Sequence, residues 1–267
     1  MHADRAFARA PRTASSLKDG VELVQAVRAR FTEEDVCSRA TRLFTRALSR
    51  GVLNIRSHVD VDHVVEGRSL AGVLRARGRF RDDLRVAIIA FANARLDPSS
   101  SAGDRRLRDA VERGATFVGG AVNFHPDPGK SIDSLLDLAV ELGVDVDVHI
   151  DETTDPDDFN LEYLAESTIE HGLSGRVTAS HACALAYVPA AVAKRTIDRV
   201  REAGITIIAN PATNLFVMGR GNGTPRQRGI TLVKELIEAG VPVRFASDSA
   251  SDVFYPYGSS DPLEIAF

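Results

Sequence analysis

Cysteine is scarce in this chain: Cys37 and Cys183 are the only two in 267 residues. They supply neither a disulfide framework nor a paired metal motif, which makes a reducing compartment, the cytoplasm, the expectation. The opening MHADRAFARAPRTASS has no apolar core of a signal peptide, and no stretch approaches ~18 consecutive apolar residues, so a membrane is not an expected partner. Lysine is also rare, with Lys18, Lys130, Lys194 and Lys234 the only four among 33 basic residues. Against 37 acidic residues the net charge is −4, leaving no diffuse positive field for a phosphate backbone, and nucleic acid is likewise not expected. Nucleotide motifs are missing. No G-x-G-x-x-G opens a helix after a strand, and GRGNGTPRQRG at 219–229 lacks the Gly-Lys-Ser/Thr ending of a P-loop. No G-x-S-x-G elbow occurs, and neither cysteine sits in a nucleophile motif.

What is present is an ordinary globular composition, 44% hydrophobic and 26% charged. The length suits one α/β barrel of ~250 residues, read as a single domain over 1–267. Short β-rich runs at 52–61, 84–91, 117–122, 144–151, 176–182, 205–210 and 241–248 alternate with helical patterns, the mark of βα units and a parallel sheet. Glycine ends the helical pattern before several strands (RALSRG, AVERG, AVELG, REAG, LIEAG), since it readily takes the left-handed conformation that stops a helix. At the front, 17–31 and 33–49 both read as helices, the second with Thr32 as N-cap. Seven strands are one fewer than a closed barrel needs. Polar loops follow the strands at 97–104, 125–131, 152–158 and 219–229, at the end where α/β proteins build their sites.

The histidines are placed unevenly. His149 and His181 end consecutive predicted strands, and Asp248 occupies the same place in VPVRFASDS. Strand alternation puts Asp145, Asp147 and His149 on one face, so His149 points into the barrel mouth with Asp147 a layer beneath. Imidazoles and a carboxylate converging from strand ends are the donors that bind Zn²⁺ or Fe²⁺ with a water position left open. Glu152, three residues after His149, would project over such a metal as a proton carrier. His171 reads as an ordinary helix-end residue, His63 and His125 as loop residues, and His58 as a partner standing behind the metal ligands. Cys183 reads as a buried structural thiol.

Taken together, GVLNIRSHVDVD, VAIIAFAN, VDVHIDE, RVTASHA, IIANPATNLFVMGRGNGTPRQRGITLVKELIEAGVPVRFASD and FYPYGSSDPLE resemble the cytosine deaminase branch of the amidohydrolase superfamily in order and spacing, over almost the whole chain. The opening HADRAF resembles the end of that family's His-x-His first-strand motif, His2 matching the second histidine. The resemblance implies a (β/α)8 barrel of the metal-dependent hydrolase kind and one divalent metal ion, Zn²⁺ or Fe²⁺, on His2, His149 and Asp248. A single ion is expected because TFVGGAVNF, at the fourth-strand position, offers neither the lysine nor the glutamate of two-metal relatives. The resemblance also implies Glu152 as general acid/base, His181 as the histidine that orients the attacking hydroxide and meets the substrate, and Asp248 as a participant in proton transfer. Asn93 falls where the family has a ring-binding glutamine.

The implied reaction is hydrolytic deamination of a cytosine-like heterocycle, with ammonia released. Departures from the family pattern touch the substrate: Asn93 is one methylene shorter than glutamine, Ser249 stands in place of a second aspartate at a substrate-binding position, and Ser247 replaces a histidine. The SDS ending is more like that of alkylammelide (triazine) hydrolases, so removal of an amino or alkylamino group from a triazine is the alternative within the class. The resemblance places the first strand with its other histidine before residue 1 and further barrel segments after residue 267. The expectation is therefore an incomplete barrel lacking its first strand and last helix. From it follow exposed apolar surface and self-association as a homo-oligomer, and the alternative of a non-catalytic binding or structural module.

Overall fold

The computed structural model describes residues 1–219 and 227–267; most of the expected Gly-rich loop at 219–229 lies outside the described residues. Seven parallel strands form one curled sheet in chain order: β1 (Asn54–Asp60), β2 (Arg85–Ala92), β3 (Phe117–Gly120), β4 (Asp145–Ile150), β5 (Val177–His181), β6 (Thr206–Ala209) and β7 (Val243–Phe245). Two helices precede the sheet, α1 (Leu17–Arg28) and α2 (Glu33–Leu48). The crossovers carry α3 (Arg68–Arg79), α4 (Ser101–Glu112), α5 (Pro128–Leu142), α6 (Leu161–Glu170), α7 (Ala190–Glu202), α8 (Pro211–Val217) and α9 (Val233–Glu238), and α10 (Pro262–Ala266) follows β7. This is the incomplete α/β barrel expected above. Among the described residues no helix is long and apolar enough to cross a membrane.

Local chemistry explains the boundaries. Thr32 caps α2, its hydroxyl accepting the Asp35 amide at 3.1 Å, and Ser16 does the same for α1 through the Asp19 amide at 3.2 Å. The glycines that close the five helical patterns, Gly51, Gly114, Gly143, Gly204 and Gly240, all have positive φ. β3 is shorter than its apolar run because a 3₁₀ turn over Val122–Phe124 begins just after it. Gly119 in this strand admits the neighbouring chain closely: a Cβ there would lie 1.9 Å from the Asp147 carbonyl oxygen.

The outer faces of the strands and the inner faces of the helices bury one continuous apolar core, with Leu43, Phe44, Ile88, Ile132, Leu135, Leu136 and Ile150 fully enclosed. The barrel axis is different. A cavity of about 410 Å³ here is lined by polar side chains, Arg56 and His58 on β1, Asp147 and His149 on β4 and Thr178 and Ser180 on β5, together with apolar ones that include Ile55, Ile208 and Phe245. Arg56 donates to Asp147 Oδ2 at 2.8 Å and to Thr178 Oγ1 at 2.9 Å.

β1 and β7 are not paired with each other; the first residues lie between them. The His58 amide donates to the Met1 carbonyl at 2.9 Å, and the His2 amide to the Asp248 carbonyl at 3.2 Å. His2 thus forms a single parallel bridge with His58, which draws its ring into the barrel mouth.

Candidate metal and proton-transfer site

Four imidazoles cluster at the C-terminal end of the strands. His149 lies at the centre, its ring centroid 5.2 Å from His2, 4.5 Å from His58 and 4.6 Å from His181. Asp248 closes the group, with Oδ1 3.9 Å from His2 Nε2. Donor atoms of His149, His181 and Asp248 lie within 4.8 Å of one another, and so do those of His2, His58 and His149. His149 is common to both sets.

His149 follows the expected strand alternation and His181 does not. His149 shares the inner face of its strand with Asp147. On β5, however, the register pairs Ser180 with His149 and His181 with Ile150, so alternation alone would turn His181 outward with Ile150. The backbone leaves the strand instead: His181 has φ 76° and Ala182 φ 49°. Asp151 and Asp248, at the ends of β4 and beyond β7, also sit in the left-handed region, at φ 52° and 51°. Each such non-glycine residue costs on the order of 1–3 kcal/mol. The strain is concentrated where strand ends turn their side chains into the mouth.

Burial sets the protonation states. His2 is pushed well below the ordinary histidine range by desolvation and then by the Arg5 guanidinium. His149 is pushed down by desolvation and then by His58. Neutral imidazoles keep a lone pair for coordination. Both ring nitrogens of His2, Nδ1 of His58 and Nε2 of His181 are buried without a hydrogen-bond partner, a costly arrangement unless something coordinates them. His58 is held from behind, its Nε2 3.0 Å from Asp147 Oδ1. Burial works to raise Asp147, but His58 and Arg56 outweigh it and leave the carboxylate below its ordinary range. This orphaned nitrogen-and-carboxylate set is of the donor type that holds a divalent metal ion.

Glu152 stands beside the cluster. Its Oε1 accepts the Asn214 amide at 3.0 Å and lies 3.3 Å from His181 Nδ1. Desolvation pushes its pKa up to about 7, the range in which a carboxyl group can both take and return a proton at neutral pH. Asn214, on α8, also reaches His181 Nδ1, so one side chain aligns both residues. The sequence reading assigned it no role; its signal is its place in NPATN, directly after a strand end. Asp151 anchors the same loop, its carboxylate accepting the Asn160 and Leu161 amides at 2.8 and 3.0 Å.

A pocket opens above the cluster, lined by Asn93, Phe91, Phe124, Glu152, Asp248 and Phe254 and roofed by α1 through Val21, Val24 and Gln25. The Asn93 Oδ1 accepts the Arg95 amide at 2.9 Å, while Nδ2 is buried with no partner. Ser249 is not on this wall. It is fully buried, with Oγ unpaired, because the turn after Asp248 carries it inward. His63 is exposed, and His171 serves its helix end, with Nδ1 2.7 Å from the Ser167 carbonyl. His125 is buried but belongs to neither donor set. The Cys183 thiol is buried and held well above its ordinary range by desolvation, as befits a structural residue.

The roof is tied down by a buried ion cluster the sequence reading did not identify. Arg28, fully enclosed at the end of α1, pairs with Asp60 at 3.0 Å and with Asp62. Arg28→Met would strand two buried carboxylates. A loss of about 3–5 kcal/mol of stability is expected, read from urea unfolding; adding Asp60→Asn and Asp62→Asn should recover part of it. An unchanged unfolding midpoint in Arg28→Met would show that the cluster does not hold the roof.

Comparison with known proteins agrees with this architecture. The sequence profile of the amidohydrolase family matches residues 80–266. A pterin deaminase of Rhizobium rhizogenes is 36% identical over 239 residues, which are 89% of this chain and 54% of that protein. The N-isopropylammelide isopropyl amidohydrolase of a Pseudomonas species is 26% identical over 257 residues, 94% and 58% of the two chains. The crystal structure of 5-methylcytosine deaminase from Klebsiella pneumoniae, liganded with phosphonocytosine, superposes with a TM-score of 0.92 at 32% identity, over 99% of this chain and 66% of that one. The chain therefore spans between about half and two thirds of the length of these relatives.

Proposed function

The chain belongs to the amidohydrolase family, and from that premise we propose that it carries the hydrolytic site of a metal-dependent deaminase acting on amino-substituted heterocycles. The observation that carries this reading is the juxtaposition of Glu152, its pKa raised to about 7, with orphaned imidazoles and Asp248 beneath a pocket lined by an unpaired carboxamide. His2, His149 and Asp248 would hold the metal, with His58 behind His2. The ion, when bound, would supply water activated at neutral pH.

The remaining chemistry falls to the chain's own residues. Asn93 Nδ2 donates to a ring acceptor and orients the plane of the ring. Glu152 takes one proton from the attacking water and passes it to the ring nitrogen beside the reacting carbon; the second proton of the same oxygen passes through Asp248 or Glu152 to the departing amine as the C–N bond breaks. His181, aligned by Asn214, uses its free Nε2 to hold the attacking oxygen. The ring carbon exchanges its C–N bond for C=O, and ammonia leaves. The relatives' names support this class: two are deaminases, and the third is named for removing an isopropylamino group.

The test is a turnover panel on the purified chain loaded with Zn²⁺ or Fe²⁺. Cytosine, 5-methylcytosine, pterin and N-isopropylammelide are followed for ammonia and for isopropylamine. Ammonia from an amino-substituted ring is the expected result. Isopropylamine alone would replace deamination with alkylamine hydrolysis, and no turnover of any ring with metal bound would overturn the reading.

A further inference from the structure

Arg5 is used by neither the metal cluster nor the proton path, yet its side chain lines the pocket with Asn93 and Glu152. Only 9% of the residue is exposed. A guanidinium presents five donors and cannot be discharged, so burying one without partners is expensive. Arg28, by comparison, has the Asp60 and Asp62 carboxylates against it and donates to Gln25 Oε1 at 3.0 Å, although its Nε too is buried without a hydrogen bond.

Arg5 has fewer partners: among the described residues its one ion pair is with Asp252, Nε 3.5 Å from Oδ2, and the guanidinium carbon lies 4.4 Å over the Phe254 ring centroid. Among the described residues its guanidinium makes no hydrogen bond, and Nε is buried without a hydrogen-bond partner. The Phe254 ring covers the guanidinium without engaging its terminal N–H groups. Asn93 Nδ2, a second unpaired buried donor, lines the same pocket. Gln25 adds a second amide, its Oε1 engaged by Arg28 at 3.0 Å, which leaves its NH₂ as the group to present. Glu152 and Asp248 are carboxylates lining the same pocket.

We propose that Arg5 is a substrate-recognition residue that binds an electron-rich oxygen on the ring, either a carboxylate substituent or a ring lactam oxygen, with Asn93 as the second donor. This rests on the reading of the site as an aminoheterocycle hydrolase and names the class of ring it selects. A planar, stacked guanidinium suits such an oxygen because it offers parallel N–H donors at fixed spacing. A ring that lacks the oxygen leaves the donors buried and unpaired, which is a strong basis for rejection.

The experiment compares three rings on the metal-loaded chain: 4-aminopyrimidine, cytosine, which adds the lactam oxygen, and 4-aminopyrimidine bearing a ring carboxylate. Binding is read by calorimetry and turnover by ammonia release. Wild type is expected to bind at least one oxygenated ring about 10-fold or more tighter than 4-aminopyrimidine. Arg5→Gln should raise Kd for that ring about 10- to 100-fold and leave 4-aminopyrimidine within about 2-fold; the ring that loses affinity identifies the oxygen. Because Arg5→Gln leaves Asp252 unpaired, Arg5→Gln/Asp252→Asn is measured alongside, and Arg5→Lys should restore binding only in part. Equal binding of all three rings by wild type, or unchanged discrimination in both glutamine variants, overturns the proposal. Discrimination that depends on Arg5 without turnover of any ring would instead refute the hydrolase reading and leave the recognition role standing.

Discussion

His149→Asn is expected to abolish stoichiometric metal binding and to lower kcat/KM by at least about 10³-fold. His149 is the one donor shared by both sets of close ligand atoms, and its ring stands within 5.2 Å of His2, His58 and His181. Its neutral form is enforced by burial, so it enters the site ready to coordinate. Replacing it breaks both sets, leaving only two of the three close donors in each. Metal activation of water is worth several kcal/mol, and at about 1.36 kcal/mol per decade that is on the order of three decades. Metal content by mass spectrometry, measured beside turnover, separates this effect from unfolding. His171→Asn, on the outer end of α6, serves as the control that keeps its metal. Full metal occupancy in His149→Asn would show that the ion sits elsewhere.

Glu152→Gln should lower kcat by about 10²–10⁴-fold while metal content stays within about 2-fold of wild type. Glutamine keeps the shape and can still accept from Asn214, whose amide lies 3.0 Å from Oε1. What it cannot do is carry a proton. Burial puts the carboxyl near neutrality, with pKa about 7, whereas the amide has no titration to offer. The loss should fall on kcat with little change in KM, because Glu152 acts on the reacting atoms and ring recognition is left to other side chains. A Glu152→Gln enzyme of normal kcat would remove the proton carrier from the mechanism. Asn214→Ala gives a graded companion, since it frees Glu152 and His181 together.

Much of the scaffold could be read along the chain because its signals are local. Thr32, the helix-ending glycines and the apolar strand runs act within a few residues of themselves. The positions of seven strands and the candidate donors His149 and Asp248 follow from such signals. Strand alternation misleads at His181, because register would set it beside Ile150 on the outer face. A left-handed turn at the strand end reverses that, and no side-chain pattern announces the turn. Ser249, which the family resemblance placed at a substrate position, is fully buried.

Arg5, Arg28 and Asn214 acquire meaning only through partners far away in sequence. Arg28 meets Asp60 and Asp62 from α1, and Asn214 meets Glu152 across 62 residues. Nothing local distinguishes these polar residues from solvent-facing ones, since their cost and their use both arise from burial.

By itself, then, the sequence determined the succession of βα units, the caps that bound them and the donor types at the strand ends, because propensity and periodicity act over one or two turns of chain. Tertiary structure alone decided which donors meet, which stay unpaired and which pKa values move. Those depend on desolvation and on distances of a few ångströms between residues that the chain brings together only when the sheet curls.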